Sequence, residues 1–266
     1  MSGSPGPISI RGLSLLTWKG NLIGHTTARR PPPAPQPNAM SAGFADMGIS
    51  QNLLDVEQRV AQAAQRAGRP PGEITIVAVT KGLTAQAIDA ALEAGIRHIG
   101  ENRVQEAREK KARLSKLQTC PTWHMVGHLQ TNKVKTAVEI FDIIHSIDSL
   151  RLAEALSGRA RNTIPVLLQV NISREEPKSG FSEAELPKAV EEITLLPRLE
   201  VKGLMTIAPL VGDPEEVRPV FRRLRELGDS LRLKHLSMGM SDDFEVAVEE
   251  GATMVRIGRA IFGERS

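Results

Sequence analysis

Residues 74–82 read Ile74-Thr75-Ile76-Val77-Ala78-Val79-Thr80-Lys81-Gly82. The run is short and rich in β-branched residues, which predicts a strand buried on both faces. Strands of this kind belong to parallel sheets, and parallel α/β proteins keep their chemistry at the strands' C-terminal ends. Lys81 stands at that end. Partial burial at such a position lowers an amine's pKa and frees the neutral form that attacks a carbonyl. A lone strand-end lysine can equally snorkel out to water, so the rest of the chain has to decide.

Upstream, Leu53, Val56, Val60, Ala63 and Ala67 keep helical spacing until Gly68 and Pro70-Pro71 stop it. Downstream, strand and helix signals alternate. Strands are expected at 74–80, 97–101, 122–127, 143–147, 165–171, 201–207, 235–239 and 254–257. Amphipathic helices are expected near 85–94, 103–117, 131–139, 149–161, 183–195, 214–232 and 242–250. Ser182-Glu183-Ala184-Glu185 is a capping box, and Asp213-Pro214-Glu215-Glu216 sets proline just behind an acidic cap. Eight strands alternating with helices predict an α/β fold, a single (βα)8 TIM-type barrel. The chain stops at Ser266, too soon for an eighth following helix. The helix starting near residue 51 is expected to fill that gap, closing the barrel ahead of its first strand. An open doubly wound sheet is the alternative, but no Gly-x-Gly-x-x-Gly turn follows a strand to support it.

Composition narrows the function. The expected division is a tail over 1–48 and the barrel over 49–266. Residues 1–45 are rich in Gly, Pro, Ser and Ala and carry Arg11, Lys19, Arg29 and Arg30 without an acid. The remaining chain then holds 30 basic and 31 acidic residues, so the formal +3 belongs to the tail. No nucleic-acid-binding face is expected. The tail loosely resembles an organelle-targeting presequence, while Met40 begins an equally plausible shorter chain. No apolar stretch approaches the ~18 residues of a membrane span. One cysteine, Cys120, leaves no disulfide framework and suits a reducing, cytoplasmic setting. The six histidines lack metal-ligand spacing, so no metal is expected, and tyrosine is absent altogether.

In a barrel the strand ends share one rim. Here they are Lys81, Glu101-Asn102, Gly127-His128, Asp148, Asn171, Met205-Thr206, Met238-Gly239-Met240-Ser241 and Arg256-Ile257-Gly258-Arg259. Ser241 precedes Asp242-Asp243-Phe244-Glu245 and is expected to cap that helix. Gly258 lets backbone approach a ligand, and the loops after strands seven and eight commonly cradle phosphate. With Lys81, these features suggest a phosphorylated aldehyde held by a Schiff base. Other rim residues have blander readings. His124 on an apolar strand reads as a satisfied core histidine, and Asp148 as a cap for the next helix. Gln130-Thr131-Asn132-Lys133 reads as loop and cap, and Arg108-Glu109-Lys110-Lys111 as a solvated helix face.

Six segments, taken in order, bring the resemblance into focus. They are Ala78-Val79-Thr80-Lys81, Gly100-Glu101-Asn102-Arg103-Val104-Gln105-Glu106, Trp123-His124-Met125-Val126-Gly127-His128-Leu129-Gln130, Gly203-Leu204-Met205-Thr206-Ile207, Leu236-Ser237-Met238-Gly239-Met240-Ser241-Asp242-Asp243 and Val255-Arg256-Ile257-Gly258. Over roughly residues 50–265 the chain resembles the pyridoxal 5'-phosphate (PLP) homeostasis family, the small YggS/PROSC-type barrels related to the barrel domain of alanine racemase. The resemblance implies PLP held as a Schiff base on Lys81, with Arg256 facing the pyridine nitrogen. It implies Ser241, Gly258 and the backbone at Arg259 at the phosphate, with Ser237 nearby. Asn102 and Asn171 would line the cofactor, and His124 and Met205 would pack around it. Many relatives have Ser or Thr where Arg259 stands, and Tyr where Arg103 stands. The resemblance also implies a monomer, with PLP-dependent apoenzymes as possible recipients.

Arginine at a pyridine nitrogen has consequences. It donates and does not accept, so it disfavours ring protonation and weakens the ring as an electron sink. A racemase of this type uses a lysine and a tyrosine as opposed bases, and this chain has no tyrosine. The end of the chain soon after the eighth strand also leaves no room for the racemase's second domain. A non-catalytic PLP-binding protein of vitamin B6 homeostasis is therefore the first expectation. A PLP-dependent amino-acid racemase with another second base is the alternative, and a Schiff-base barrel without PLP, such as an aldolase, is the third.

Overall fold

The apolar run after Glu73 forms β1, Thr75–Val79, in a computed structural model that describes residues 38–114, 120–173 and 179–264. Seven further strands follow: β2 His98–Glu101, β3 Thr122–Met125, β4 Ile143–Ile147, β5 Ile164–Gln169, β6 Leu199–Met205, β7 His235–Ser237 and β8 Met254–Ile257. All pair in parallel in chain order, and β1 pairs with β8, so the sheet is a closed barrel. The fold is the single (βα)8 TIM-type barrel. The chain divides at Pro37/Asn38, and every described residue belongs to the unit that starts at Asn38. The expectations for the tail lie outside the described residues.

Helices α1 Asn38–Arg66, α2 Ala85–Glu93, α3 Val104–Leu114, α4 Val134–Ile140, α5 Leu150–Arg159, α6 Leu186–Thr194, α7 Arg218–Ser230, α8 Phe244–Glu249 and α9 Arg259–Phe262 surround the strands. α1 starts well ahead of the apolar spacing that announced it. It buries Leu53, Val56, Val60, Ala63 and Ala64 and packs on α2, α8 and the single turn α9. The gap after β8 is thus covered by α1 together with that short turn. The stop after α1 is a backbone device. Gly68 adopts φ +66°, Arg69 N donates to Ala64 O at 2.9 Å and Gly68 N donates to Gln65 O at 3.0 Å. This pattern satisfies the last carbonyls of the helix.

Several expected bounds shift for local reasons. Ser182 and Glu185 exchange the capping-box bonds, Ser182 N to Glu185 Oε2 at 3.0 Å and Glu185 N to Ser182 Oγ at 3.3 Å, yet α6 itself starts only at Leu186. The Asp213 box opens a 3₁₀ turn, Pro214–Val217, before α7. Thr131–Lys133 is likewise a 3₁₀ turn before α4 and makes no side-chain cap. Strands β3, β5, β6 and β7 each end two residues earlier than expected, because apolar character continues into the rim after pairing stops. Residues 115–117 of the third expected helix fall outside the described residues.

Inside the barrel, Val77, Val79 and Val126 form one small cluster and Leu167, Met205 and Met254 another, apart from the large layer between strands and helices. The remaining interior positions include His124, His145, Ser237 and Arg256, all buried. Among the described residues no helix is long and apolar enough to cross a membrane. One glycine sets a strand spacing: a Cβ on Gly203 of β6 would overlap the backbone carbonyl of His235 in β7. Gly203→Ala should therefore lower stability by about 3 kcal/mol, read as an earlier urea midpoint with unchanged slope. An unmoved midpoint would mean that the two strands part without cost.

Candidate functional site

Strand ends from across the sheet enclose a cavity of about 520 Å³ at the C-terminal rim. That volume falls within the roughly 300–1,000 Å³ usual for small-molecule sites. Lys81, Asn102, Ser241, Arg256, Gly258 and Arg259 line it, beside Val79, Val126 and Ile207. Six of the nine residues expected to bind cofactor therefore share one space. Asn171 lines an adjoining cavity of about 220 Å³ with Gln169, His128 and Ser179, and Val126 and Ile207 border both spaces. Met205 and Ser237 are fully buried in the barrel and line neither cavity.

Lys81 is exposed, which corrects the expectation of a partly buried amine. The backbone around it is nevertheless fixed. Lys110 Nζ donates to Thr80 O at 2.6 Å and to Glu101 Oε1 at 2.6 Å. Thr80 Oγ1 donates to the same Glu101 oxygen, and Gly82 N donates to Glu106 Oε2 at 3.1 Å. The peptides on either side of Lys81 are thus held by Lys110 and Glu106 of α3, while Glu101 of β2 holds the Thr80 side chain. Lys110 was read as part of a solvated helix face, yet it is buried, while Arg108 and Glu109 beside it are exposed. Burial raises the Glu101 pKa, opposed by its hydrogen bonds from Lys110 and Thr80.

Arg256 is fixed by Ser237 and Thr206. Nη1 donates to Ser237 Oγ at 2.7 Å and Nη2 to Thr206 O at 2.9 Å. Burial pushes the guanidinium down to about 10, offset in part by the charge of Asp243. It remains a cation at neutral pH and its hydrogen bonds are charge-assisted.

Ser241 does not cap α8, the helix it precedes. The N-cap position of α8 belongs to Asp243, whose Oδ1 accepts from Met240 N at 2.6 Å. Ser241 Oγ instead accepts from Gly258 N and Ala260 N, both at 3.3 Å. Two backbone N–H groups therefore converge on one oxygen at the cavity wall. Arg259 is paired with Asp242 and lies 4.0 Å from Glu264. Asp148 is also relieved of its expected role: Ser149 caps α5, accepting from Leu152 N at 3.4 Å, and Asp148 Oδ2 meets His128 Nδ1 at 2.9 Å.

A second polar system runs beneath the cavity. His98 Nδ1 lies 3.0 Å from His124 Nε2, His124 Nδ1 lies 2.9 Å from His145 Nε2, and His145 Nδ1 lies 2.8 Å from Ser237 Oγ. His124 is thus a satisfied core histidine. Burial, with the charge of His98, lowers its pKa to about 3, and burial lowers that of His145 well below its ordinary value. His98 and His145 were not singled out from the sequence, and Glu101 and Thr206 were named only as strand ends. The interior alternation of β2, β3 and β4 does place the three histidines on one face of the sheet.

The class of protein follows from this barrel and its lysine. The family model described as "Alanine racemase, N-terminal domain" matches residues 52–266. The barrel superposes on alanine racemase of Corynebacterium glutamicum with TM-score 0.62 at 19% identity, covering 83% of this chain and 62% of that one, a likeness of fold alone. Closer similarity lies elsewhere. The chain is 44% identical over 228 residues to the pyridoxal phosphate homeostasis protein of Aquifex aeolicus, covering 82% of this chain and 99% of the relative. It also matches the structure of PipY from Synechococcus elongatus with PLP bound, with TM-score 0.70 and 40% identity over 81% of this chain and all of that one. The chain belongs to the pyridoxal phosphate homeostasis protein family.

Two outcomes test this geometry. Lys110→Met leaves Glu101 buried and unpaired, so it should cost about 3–5 kcal/mol, and adding Glu101→Leu should recover most of that loss. Urea titrations of the two variants check it, and a double variant no better than the single would break the pairing. His124 is held neutral in the fold, so below its ordinary value of 6.5 the unfolded chain takes up the proton first. Its contribution is complete above 6.5 and is lost as pH falls toward about 3. The slope is about 1.4 kcal/mol per pH unit per proton. His124→Gln should flatten the acid limb of stability by that amount, and an equally steep limb would count against a neutral His124.

Proposed function

We propose that the barrel binds PLP, holds it as a Schiff base on Lys81, and works in PLP homeostasis by keeping and releasing the cofactor rather than by turning over amino acids. One juxtaposition carries this reading. An exposed amine, a buried guanidinium and a serine hydroxyl oriented by two backbone N–H groups border a single cavity of about 520 Å³. The amine suits an aldehyde, the guanidinium a ring nitrogen and the hydroxyl, whose own proton is left to donate, a phosphate oxygen. In that arrangement Ser241, Gly258 and the backbone at Arg259 hold the phosphate, Asn102 and Asn171 flank the ring, and Met205 packs deeper in the barrel without lining the cavity. Ser237 acts from behind, through Arg256. The Arg259 side chain reaches the anion only by leaving Asp242.

When bound, PLP supplies an aldehyde carbon and a ring that can accept electrons. The residues around it limit that second capacity. Arg256 only donates, and no tyrosine exists to act as a base opposite Lys81. The carboxylates on the cavity wall are Asp242, already paired with Arg259, and Glu264. The mouth stays open beside exposed Ile207, Leu210 and Met240. That leaves the Lys81 amine accessible for exchange with the lysines of PLP-dependent apoenzymes.

Borohydride reduction after incubation with PLP, followed by peptide mapping, tests the assignment. The expected adduct sits on Lys81 and is absent from Lys81→Ala, whereas an adduct on another lysine overturns it. Chiral analysis of alanine incubated with loaded protein tests the carrier role. Interconversion near ~10 per second, typical of enzymes, would replace it with the racemase alternative.

A further inference from the structure

Arg256 is the last member of a row of hydrogen-bonded side chains that crosses the barrel. The row starts at half-buried His98, the first residue of β2, and passes through His124 of β3 and His145 of β4. It then spans to Ser237 of β7 and ends at Arg256 of β8. The first two steps climb the barrel, because His124 pairs in register with Gly100 and Ile143, two positions off from His98 and His145. The proposed binding of PLP uses only the Arg256 end. The other members touch neither the cavity nor, at the His98 end, the same rim.

Elementary valence fixes the direction of the row. A guanidinium has no acceptor, so Ser237 Oγ must accept from Arg256. Ser237 is buried, and its own proton then has His145 Nδ1 as its acceptor at 2.8 Å. A neutral imidazole carries one N–H, so His145 is the Nε2–H form and donates to His124 Nδ1. His124 in turn donates from Nε2 to His98 Nδ1. With the opposite polarity the Ser237 oxygen would accept twice, and its proton would lose this partner at a cost. The ionisable groups that act on the row are His235 of β7, with Lys202 and Lys234 near it, and Arg256, which Asp243 faces.

We infer that His98, His124, His145 and Ser237 form a one-directional relay that positions Arg256 as a hydrogen-bond donor and couples the far end of the barrel to the cofactor's ring nitrogen. The assignment of Arg256 to that nitrogen rests on the PLP reading above, but the relay itself does not. His98 is the entry point. Its Nδ1 must remain an acceptor, so a proton added there opposes the His124 Nε2–H. The row must then break or reverse, and Ser237 must change the proton it offers. Each hydrogen bond polarises the next, so the change is felt at Arg256 without any movement of the backbone.

The test uses the full chain with nitrogen-labelled histidine. Without PLP, long-range proton–nitrogen NMR should find His124 and His145 in the Nε2–H form between about pH 6 and 8. His98→Leu removes the terminal acceptor and should shift the His145 nitrogens, while His98→Gln, which keeps an amide oxygen, should restore them. In PLP-loaded protein the pH midpoint of the visible band should move in His98→Leu by about half a unit, a roughly three-fold change in the equilibrium. His98→Gln should again restore it. A proton on His145 Nδ1, or unmoved His145 signals in His98→Leu, overturns the relay. So does a lower melting temperature with an unmoved band, since that is a merely structural role. If no PLP binds to the unaltered protein, the function proposed above fails, and the histidine signals still decide the relay.

Discussion

The pairing of β1 with β8 is the contact on which the site depends. Thr75, Ile76, Val77 and Ala78 meet Met254, Val255, Arg256 and Ile257 in register. That seam removes both edges of the sheet at once, so every interior strand finds two neighbours and no edge is left to pair with another chain. It also joins the two ends of the described barrel in space. Arg256 stands beside Val77, and the chain leaving β1 reaches Lys81 on the same rim where the chain leaving β8 turns at Gly258. Residues some 175 positions apart in number, Lys81 and Arg256, thereby share one cavity. A one-residue slip at this seam would send Arg256 to the opposite face of the sheet, and the cavity would lose its buried cation.

Two polar systems then occupy positions where apolar side chains would pack more simply. The Glu101–Lys110 pair is buried between β2 and α3, and the histidine row crosses the interior. Buried charges and buried imidazoles carry a desolvation penalty that hydrogen bonds offset only when the geometry is complete. Both systems adjoin the Lys81–Arg256 cavity, one under the strand end that carries the lysine and the other behind the guanidinium. Stability is therefore traded for fixed positions at the two groups that border the cavity from adjacent strands. The amine is left exposed while its peptide neighbours are held, an arrangement suited to a side chain that must exchange partners from a constant origin.

How much of this could be read from the residues follows from what each element is made of. β1 and β8 announced themselves because a doubly buried parallel strand is a continuous apolar run. α2 and α7 did so because an amphipathic helix repeats every 3.6 residues. The rim was legible because a barrel collects its strand ends, and six expected residues do border one cavity. Lys110 was not legible: in a run of four charges nothing local distinguishes the one that faces a buried glutamate on the neighbouring strand. Ser241 was misread because a serine before a helix resembles a cap, whereas its hydroxyl turns to the loop after β8, a partner fixed only by the β7–β8 neighbourhood. The histidine row was half legible. Alternation places the three rings on the interior face, but their contact depends on the stagger between strands, which no single strand encodes.

The same stagger shapes what the site can do. Arg256 faces the cavity as a donor with two of its nitrogens already engaged, by Ser237 Oγ and by Thr206 O. Its orientation is set before any ligand arrives, so a ring nitrogen presented to it accepts a hydrogen bond and gains no proton. A ring kept in that state withdraws electrons weakly, and the bonds of an attached amino acid are correspondingly hard to break. The lysine at the end of the neighbouring strand is under no such restraint. On the proposed reading, a cavity built this way favours forming and exchanging a covalent link over using it for chemistry, and that asymmetry would be the physical content of a carrier.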